Sequence, residues 1–402
     1  MRTPAELSPL ETAVGWPLGG RGRATPRLDR PGAAPLEALA SAIEPTLEHG
    51  PPAVAFSGGR DSSLLLAVTA LVCRRAGLEP PLPITLCMPG QFEEADERRW
   101  QELVLEHLEI PQWHRIPIDG ELDLLGPYAR RHLLRNGPLF PANAHAIVPM
   151  LEAAGHRCLI VGQGGDELLS SQQWRSVQDL LARRRRPEPR DLLRLGAGVV
   201  PRPVRRLIRP IPAQSYETMD WLRPEAMSEL PGVVRRGFEQ PVAWRAAVRD
   251  LAARRDVVLP LRTMRRLADA GGHRVLAPLL DPGFVGALAR AGGLAGWGPR
   301  TAAMDALASD LLPAESVGRK TMAYFNRVFF GDESRAFAAT WSGRGLDERL
   351  VDPEALRRQW RSDMPDFRTS LLLQSAWLAD QPRAPAPEGD PVSDTTTAAV
   401  CA

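Results

Sequence analysis

Two glycine-rich segments bring acids and hydroxyls together in a way that suits phosphate chemistry. The first, SGGRDSS at residues 57–63, follows the apolar run AVAF and opens into a stretch of helical periodicity. Gly58 and Gly59 let the backbone approach a ligand and take positive φ, Ser57 and Ser62 offer hydroxyls, and Asp61 has the chemistry to hold magnesium against phosphate oxygens. The free N–H groups at the start of the following helix attract an anion. Spacing and the missing lysine set this loop apart from GxxxxGK[ST], and its shape suits pyrophosphate.

The second segment is LIVGQGGDELLSS, where the apolar run Leu159–Val161 enters a turn carrying Gly164, Gly165, Asp166 and Glu167. A triphosphate cut between its α and β phosphates needs charge neutralised on both fragments, so Asp166 is expected as a second acidic anchor for magnesium. Alone, this string also fits a capped helix start. Paired with the first segment it points to one nucleotide site.

Two such turns act together only if a scaffold carries them to the same edge. Short apolar runs at AVAF, PITLCM, WHRIPI and RCLIVG alternate with helical stretches at 62–75, 93–108, 124–135 and 144–154. This alternation predicts an α/β fold, a parallel sheet flanked by helices, with ligands at the C-terminal ends of the strands. The expected organisation is an N-terminal arm at 1–45, a nucleotide-binding core at 46–180, an Arg/Pro-rich excursion at 181–215, a mainly helical region at 216–380 that completes the site, and a disordered tail at 381–402.

Composition narrows the function classes. Fifty basic and 48 acidic residues leave a net charge of +2, which gives no global attraction to nucleic acid or membrane, and neither partner is expected. The run Arg183–Arg186 fits a solvated face, an acidic leader peptide or a tRNA backbone, but no interleaved aromatics support base stacking. The four cysteines lack CxxC spacing, and no signal peptide or membrane span is evident, so a cytoplasmic location is expected. The histidines show no zinc spacing; His145, before an apolar stretch, reads as a packed or capped side chain. The chain holds one lysine, Lys320, against 49 arginines.

SGGRDSS followed by GQGGDE resembles the synthetase domain of the asparagine synthetase family, over about residues 53–360. HRVLAPLLDPGFV is similar to a segment of its lasso-peptide cyclase branch, as is Gln163 where glutamate is often found. The resemblance implies a PP-loop ATP pyrophosphatase fold of the adenine nucleotide alpha hydrolase-like type, with ATP and Mg²⁺ as cofactors. By it, Ser57, Gly58, Gly59, Asp61, Ser62, Gly164 and Gly165 bind the nucleotide's phosphates, Met88 lies against adenine, and Asp61 and Asp166 hold metal. It also implies a lysine, just after LLP and an arginine, that stabilises charge during adenylation. Here Arg319 matches the arginine and Lys320 stands one or two residues before the usual lysine place. An ammonium is compact and mobile where a guanidinium is planar, so the sole lysine of an arginine-rich chain is assigned this role.

The resemblance therefore implies a ligase that adenylates a carboxylate, releases pyrophosphate and lets an amine or ammonia form an amide. Residue 2 is Arg2, not the cysteine of a glutaminase domain, so ammonia is expected from a partner protein, or the amine from the substrate itself. The carboxylate is expected on a small molecule or a precursor peptide. A catalytically silent binding homologue and a PP-loop tRNA-modifying enzyme are the alternatives.

Overall fold

The computed structural model describes residues 6–26, 32–88, 97–170, 173–188, 196, 200, 218–237, 240–319 and 326–381. Five parallel strands form its centre: β1 (Ala53–Ala55), β2 (Leu82–Cys87), β3 (His114–Pro117), β4 (Cys158–Ile160) and β5 (Arg274–Leu276), in spatial order β3-β2-β1-β4-β5. The chain runs from β1 outward through β2 to β3, then returns to place β4 on the other side of β1. The order thus reverses between β1 and β4, where open parallel sheets form their ligand crevice. Register pairs Val54 with both Pro83 and Ile160, so the loops after β1 and β4 leave the sheet side by side.

Four strands match the apolar runs of the sequence; β5 does not. It is the edge strand RVL, entered from Gly271 and Gly272 after a long helix, and unlike β1 and β4 it begins on an exposed arginine and buries none of its residues fully, so it makes no continuous apolar run. The helix expected at 124–135 runs over Pro127–Asn136, because Asp123 and the Phe329 carbonyl take the N–H groups of Leu125 and Leu124, and Pro127 suits a first helical turn. The stretch 144–154 divides into a 3-10 turn, Ala144–Ile147, and a helix, Val148–Ala154, with Pro149 near its start.

The helix Arg60–Arg75 lies under the sheet and is buried on nearly every side from Ser62 to Ala70, which its run of Leu64, Leu65, Leu66 and Val68 requires. It joins β1, β4 and the helices Pro35–Ile43 and Pro282–Gly292 in one apolar core. A second core gathers Leu7–Leu18, Leu122–Leu125, Trp221, Trp360 and the helix Ser370–Asp380. Buried donors are paired within it: Trp221 Nε1 donates to the Ala13 carbonyl at 2.9 Å, and the Gln374 side-chain N–H groups donate to the carbonyls of Leu124 and Ala142 at 3.2 and 2.9 Å. The stretch from Leu7 to Leu18 is anchored there too. Buried Glu11 meets Arg255 at 2.5 Å, and this cation with three hydrogen-bond partners outweighs burial to hold the carboxyl below its usual range.

Candidate active site

The loop after β1 is held by its own hydroxyls. Ser62 Oγ donates to the Gly59 carbonyl at 3.0 Å and accepts from the Ser57 N–H at 3.3 Å; Ser57 Oγ lies 3.1 Å from Ser62 Oγ and accepts from the Gly59 N–H at 3.2 Å. With the Ser62 proton committed to Gly59, Ser57 donates to Ser62. Gly59 caps the helix, whose first turn carries Asp61. Gly58 takes φ +81°, and a Cβ there would stand 2.9 Å from Gln101 Cγ, so both conformation and contact require glycine.

That contact belongs to a bracket outside the loop. The Gln101 amide donates to the Ser57 carbonyl at 3.0 Å. Arg319, buried, donates to the Gly58 carbonyl at 2.8 Å and to Glu97 at 2.7 Å, and its guanidinium lies 4.9 Å from the Trp100 ring. A buried cation here is thus paired, stacked and hydrogen-bonded to the loop it positions.

The loop after β4 meets the first one directly. Gly165 begins the helix Gly165–Ser170, and a Cβ on it would fall 2.2 Å from Asp61 Cγ, so only glycine leaves room for that carboxylate. Asp61 and Asp166 are joined through one guanidinium: Arg300 Nη2 lies 2.7 Å from Asp61 Oδ2, and Nη1 pairs with Asp166 Oδ1. Burial pushes the Asp61 carboxyl up, with Arg300 opposing, while the two carboxylates outweigh burial and raise Arg300. Burial, with Asp166, Asp256 and Asp61 adding to it, pushes neighbouring Glu167 up to about 7.

Ser57, Gly58, Gly59, Asp61, Ser62, Gly164, Gly165 and Asp166 therefore occupy one corner of the sheet. Met88 follows β2 at the same edge, half-buried against the second core. Lys320 lies outside the described residues. The sequence reading had no role for Arg300, Glu97 or Gln101; among 49 arginines, nothing local distinguishes Arg300. His145 is buried, held neutral with its pKa lowered to about 4, chiefly by burial, and Nε2 faces the Leu122 carbonyl at 2.9 Å, a packing role. Asp281 caps a helix through the N–H groups of Gly283 and Phe284, and Arg274 binds His49 and the His156 carbonyl. In the arginine run, Arg184 is tied to Asp179 and the Ala295 carbonyl.

A groove of about 350 Å³ opens beside both arginines of the site, between the helices Arg300–Ala308 and Ala314–Gly318. Thr301, Ala302, Asp305, Ser309, Val317 and Gly318 line it.

A family model described as asparagine synthase matches residues 36–378, most of the chain and all of the site described above. The chain belongs to the asparagine synthase family. No curated protein matches it in a direct sequence search. Asparagine synthase-type proteins are ATP-dependent ligases, which supports an ATP-dependent ligase activity in general.

The residues of this asparagine synthase-type site also fit a magnesium ion. Asp61 Oδ1 is buried and has no hydrogen-bond partner among the described residues. No group of three or more His, Cys, Asp or Glu among those residues forms a protein-only metal cage. Magnesium bound to a nucleotide does not need one, since it keeps waters and takes phosphate oxygens with one or two carboxylates. Asp61 and Asp166 are the residues that would hold it. No helix among the described residues is long and apolar enough to cross a membrane.

Proposed function

We propose that this chain is an ATP-dependent amide-forming ligase that adenylates a substrate carboxylate and releases pyrophosphate. The observation that carries the reading is the convergence of Asp61 and Asp166, from two loops at the strand-order switch, on one cation beside the N-terminus of the Arg60–Arg75 helix. A carboxylate oxygen attacks the α phosphorus, the bond to the β-phosphate bridging oxygen breaks, and pyrophosphate leaves. An amine then attacks the acyl carbon, AMP departs with the bonding pair of the acyl–oxygen bond, and the amine loses its proton.

The chain's own residues position and neutralise. The Ser57–Ser62 loop, locked by its hydroxyls and by Gln101 and Arg319, presents the N–H groups of Gly58 and the helix start to the pyrophosphate. Asp61 and Asp166 anchor the metal, which supplies charge neutralisation on the phosphates when bound. Met88 lines the adenine side. Lys320, next to Arg319 in the chain, supplies the ammonium that stabilises charge on the α phosphate. The groove beside Arg300 and Arg319 receives the organic substrate. Positioning and electrostatics account for most of the rate, because phosphoryl and adenylyl transfer ask little covalent help of the protein.

The similarity of HRVLAPLLDPGFV and Gln163 to the lasso-peptide cyclases supports a peptide natural-product precursor as substrate, with its own amine as nucleophile. Incubation with ATP, Mg²⁺ and candidate acids, followed by pyrophosphate assay and mass spectrometry, tests this. Pyrophosphate with a peptide lighter by one water is expected for cyclisation, and a free acid converted to its amide when ammonia is supplied is the small-molecule outcome. ATP bound without pyrophosphate release under any condition would mark a silent homologue and overturn the ligase reading.

A further inference from the structure

Arg300 sits where two acidic corners meet, and its side chain is largely buried between them. One nitrogen meets Asp61 at 2.7 Å and another pairs with Asp166, while Nε is buried without a partner among the described residues, as is Asp61 Oδ1. Two carboxylates this close to one another need a cation between them, or one must take up a proton. The guanidinium fills that need, and in doing so takes one oxygen of each carboxylate, Asp61 Oδ2 and Asp166 Oδ1, and sets a positive charge where a cation held by both acids would sit.

A second cation stands close by. Arg60 donates to the Thr301 hydroxyl at 3.4 Å, which sets a second guanidinium against the residue next to Arg300 in the chain. Arg300 and Arg60 thus repel each other beside the phosphate loop, an arrangement that an incoming polyanion relieves. A planar guanidinium pairs bidentately with phosphate oxygens as readily as with carboxylates, so Arg300 has a place to go once a triphosphate is present.

We propose that Arg300 is a counter-ion latch: it binds Asp61 and Asp166 when no nucleotide is present, keeps divalent cations off them, and transfers to the polyphosphate when the metal–nucleotide complex enters. This rests on the ligase reading above and adds an order to it, because metal loads with nucleotide and not before. The unpartnered Nε is the donor left for a phosphate oxygen.

Manganese, used as the probe ion, is titrated into the full chain and followed by electron paramagnetic resonance, with and without a non-hydrolysable ATP analogue. Wild type should bind manganese weakly alone and firmly with the analogue. Arg300→Met should bind manganese alone about tenfold more tightly than wild type and bind the analogue about tenfold more weakly. Arg300→Lys, which keeps the charge without the fork, should fall between, and serves alone if the methionine variant does not fold. Adding Asp61→Asn to Arg300→Met should abolish the gain. Unchanged manganese binding in both Arg300 variants, with wild type still binding the manganese–analogue complex, would overturn the latch and leave the ligase reading standing. Failure of wild type to bind the manganese–analogue complex at all would instead strike the ligase reading.

Discussion

Arg319 donates a hydrogen bond to the carbonyl of Gly58 at 2.8 Å, tying the segment after LLP to the tip of the phosphate loop from the opposite end of the chain. The same side chain is paired with Glu97 and stacked on Trp100, so it behaves as a buried strut. Removing one partner of a buried pair leaves the other charge uncompensated, which costs about 3–5 kcal/mol. Arg319→Met should lower the melting temperature and abolish ATP-dependent pyrophosphate release. Arg319→Lys should regain part of the stability but little activity, since an ammonium lacks the second nitrogen that meets the other Glu97 oxygen and the planar group that stacks on Trp100. Thermal melts and pyrophosphate assays on the two variants check this.

Gly165 is the contact point of the two acidic corners. A methyl group there would occupy the position of the Asp61 carboxylate, so Gly165→Ala should displace Asp61 while leaving the strands intact. We expect a fall in pyrophosphate release of about a hundredfold or more, comparable to losing one electrostatic anchor, with far-UV circular dichroism unchanged.

Glu167 gives the protein a pH signature. Its carboxyl, raised from 4.5 to about 7, is protonated in the fold at a pH where the unfolded chain is ionised. The contribution of this group to stability is therefore full below pH 4.5 and is lost as pH rises toward 7. Glu167→Gln mimics the neutral acid and should remove this loss, so its advantage over wild type should widen from pH 5 to pH 8, by at most about 3 kcal/mol. Denaturant midpoints of both proteins at the two pH values check the direction.

The groove of about 350 Å³ offers a test that separates organic substrate from nucleotide. Ala302 lines it, so Ala302→Trp should raise the KM for the acid or the amine about tenfold while leaving the KM for ATP near its wild-type value. Steady-state kinetics in each substrate distinguish this from a general loss.

The scaffold was legible where periodicity was strong. AVAF and RCLIVG, each ahead of a glycine turn, signal adjacent parallel strands, and pairing SGGRDSS with GQGGDE anticipates that Asp61 and Asp166 converge. What the sequence hides is whatever depends on distant partners. Arg300 looks like any of 49 arginines until folding sets it between the two acids, and Glu97 and Gln101 sit on a helix whose periodicity does not reveal which face meets the phosphate loop. β5 escapes notice because, as an edge strand starting on exposed Arg274, it lacks the continuous apolar run that marks β1 and β4.

The central claim is that the α phosphorus of ATP is transferred to a carboxylate at the corner held by Asp61 and Asp166. Its most direct test uses an acid that supports pyrophosphate release, carrying isotopically heavy oxygen in its carboxylate, and follows the label by mass spectrometry of the nucleotide product. The account predicts AMP containing one heavy oxygen, together with pyrophosphate, and loss of both in Asp61→Asn and Asp166→Asn. ADP with the label in inorganic phosphate, or unlabelled AMP, would contradict it.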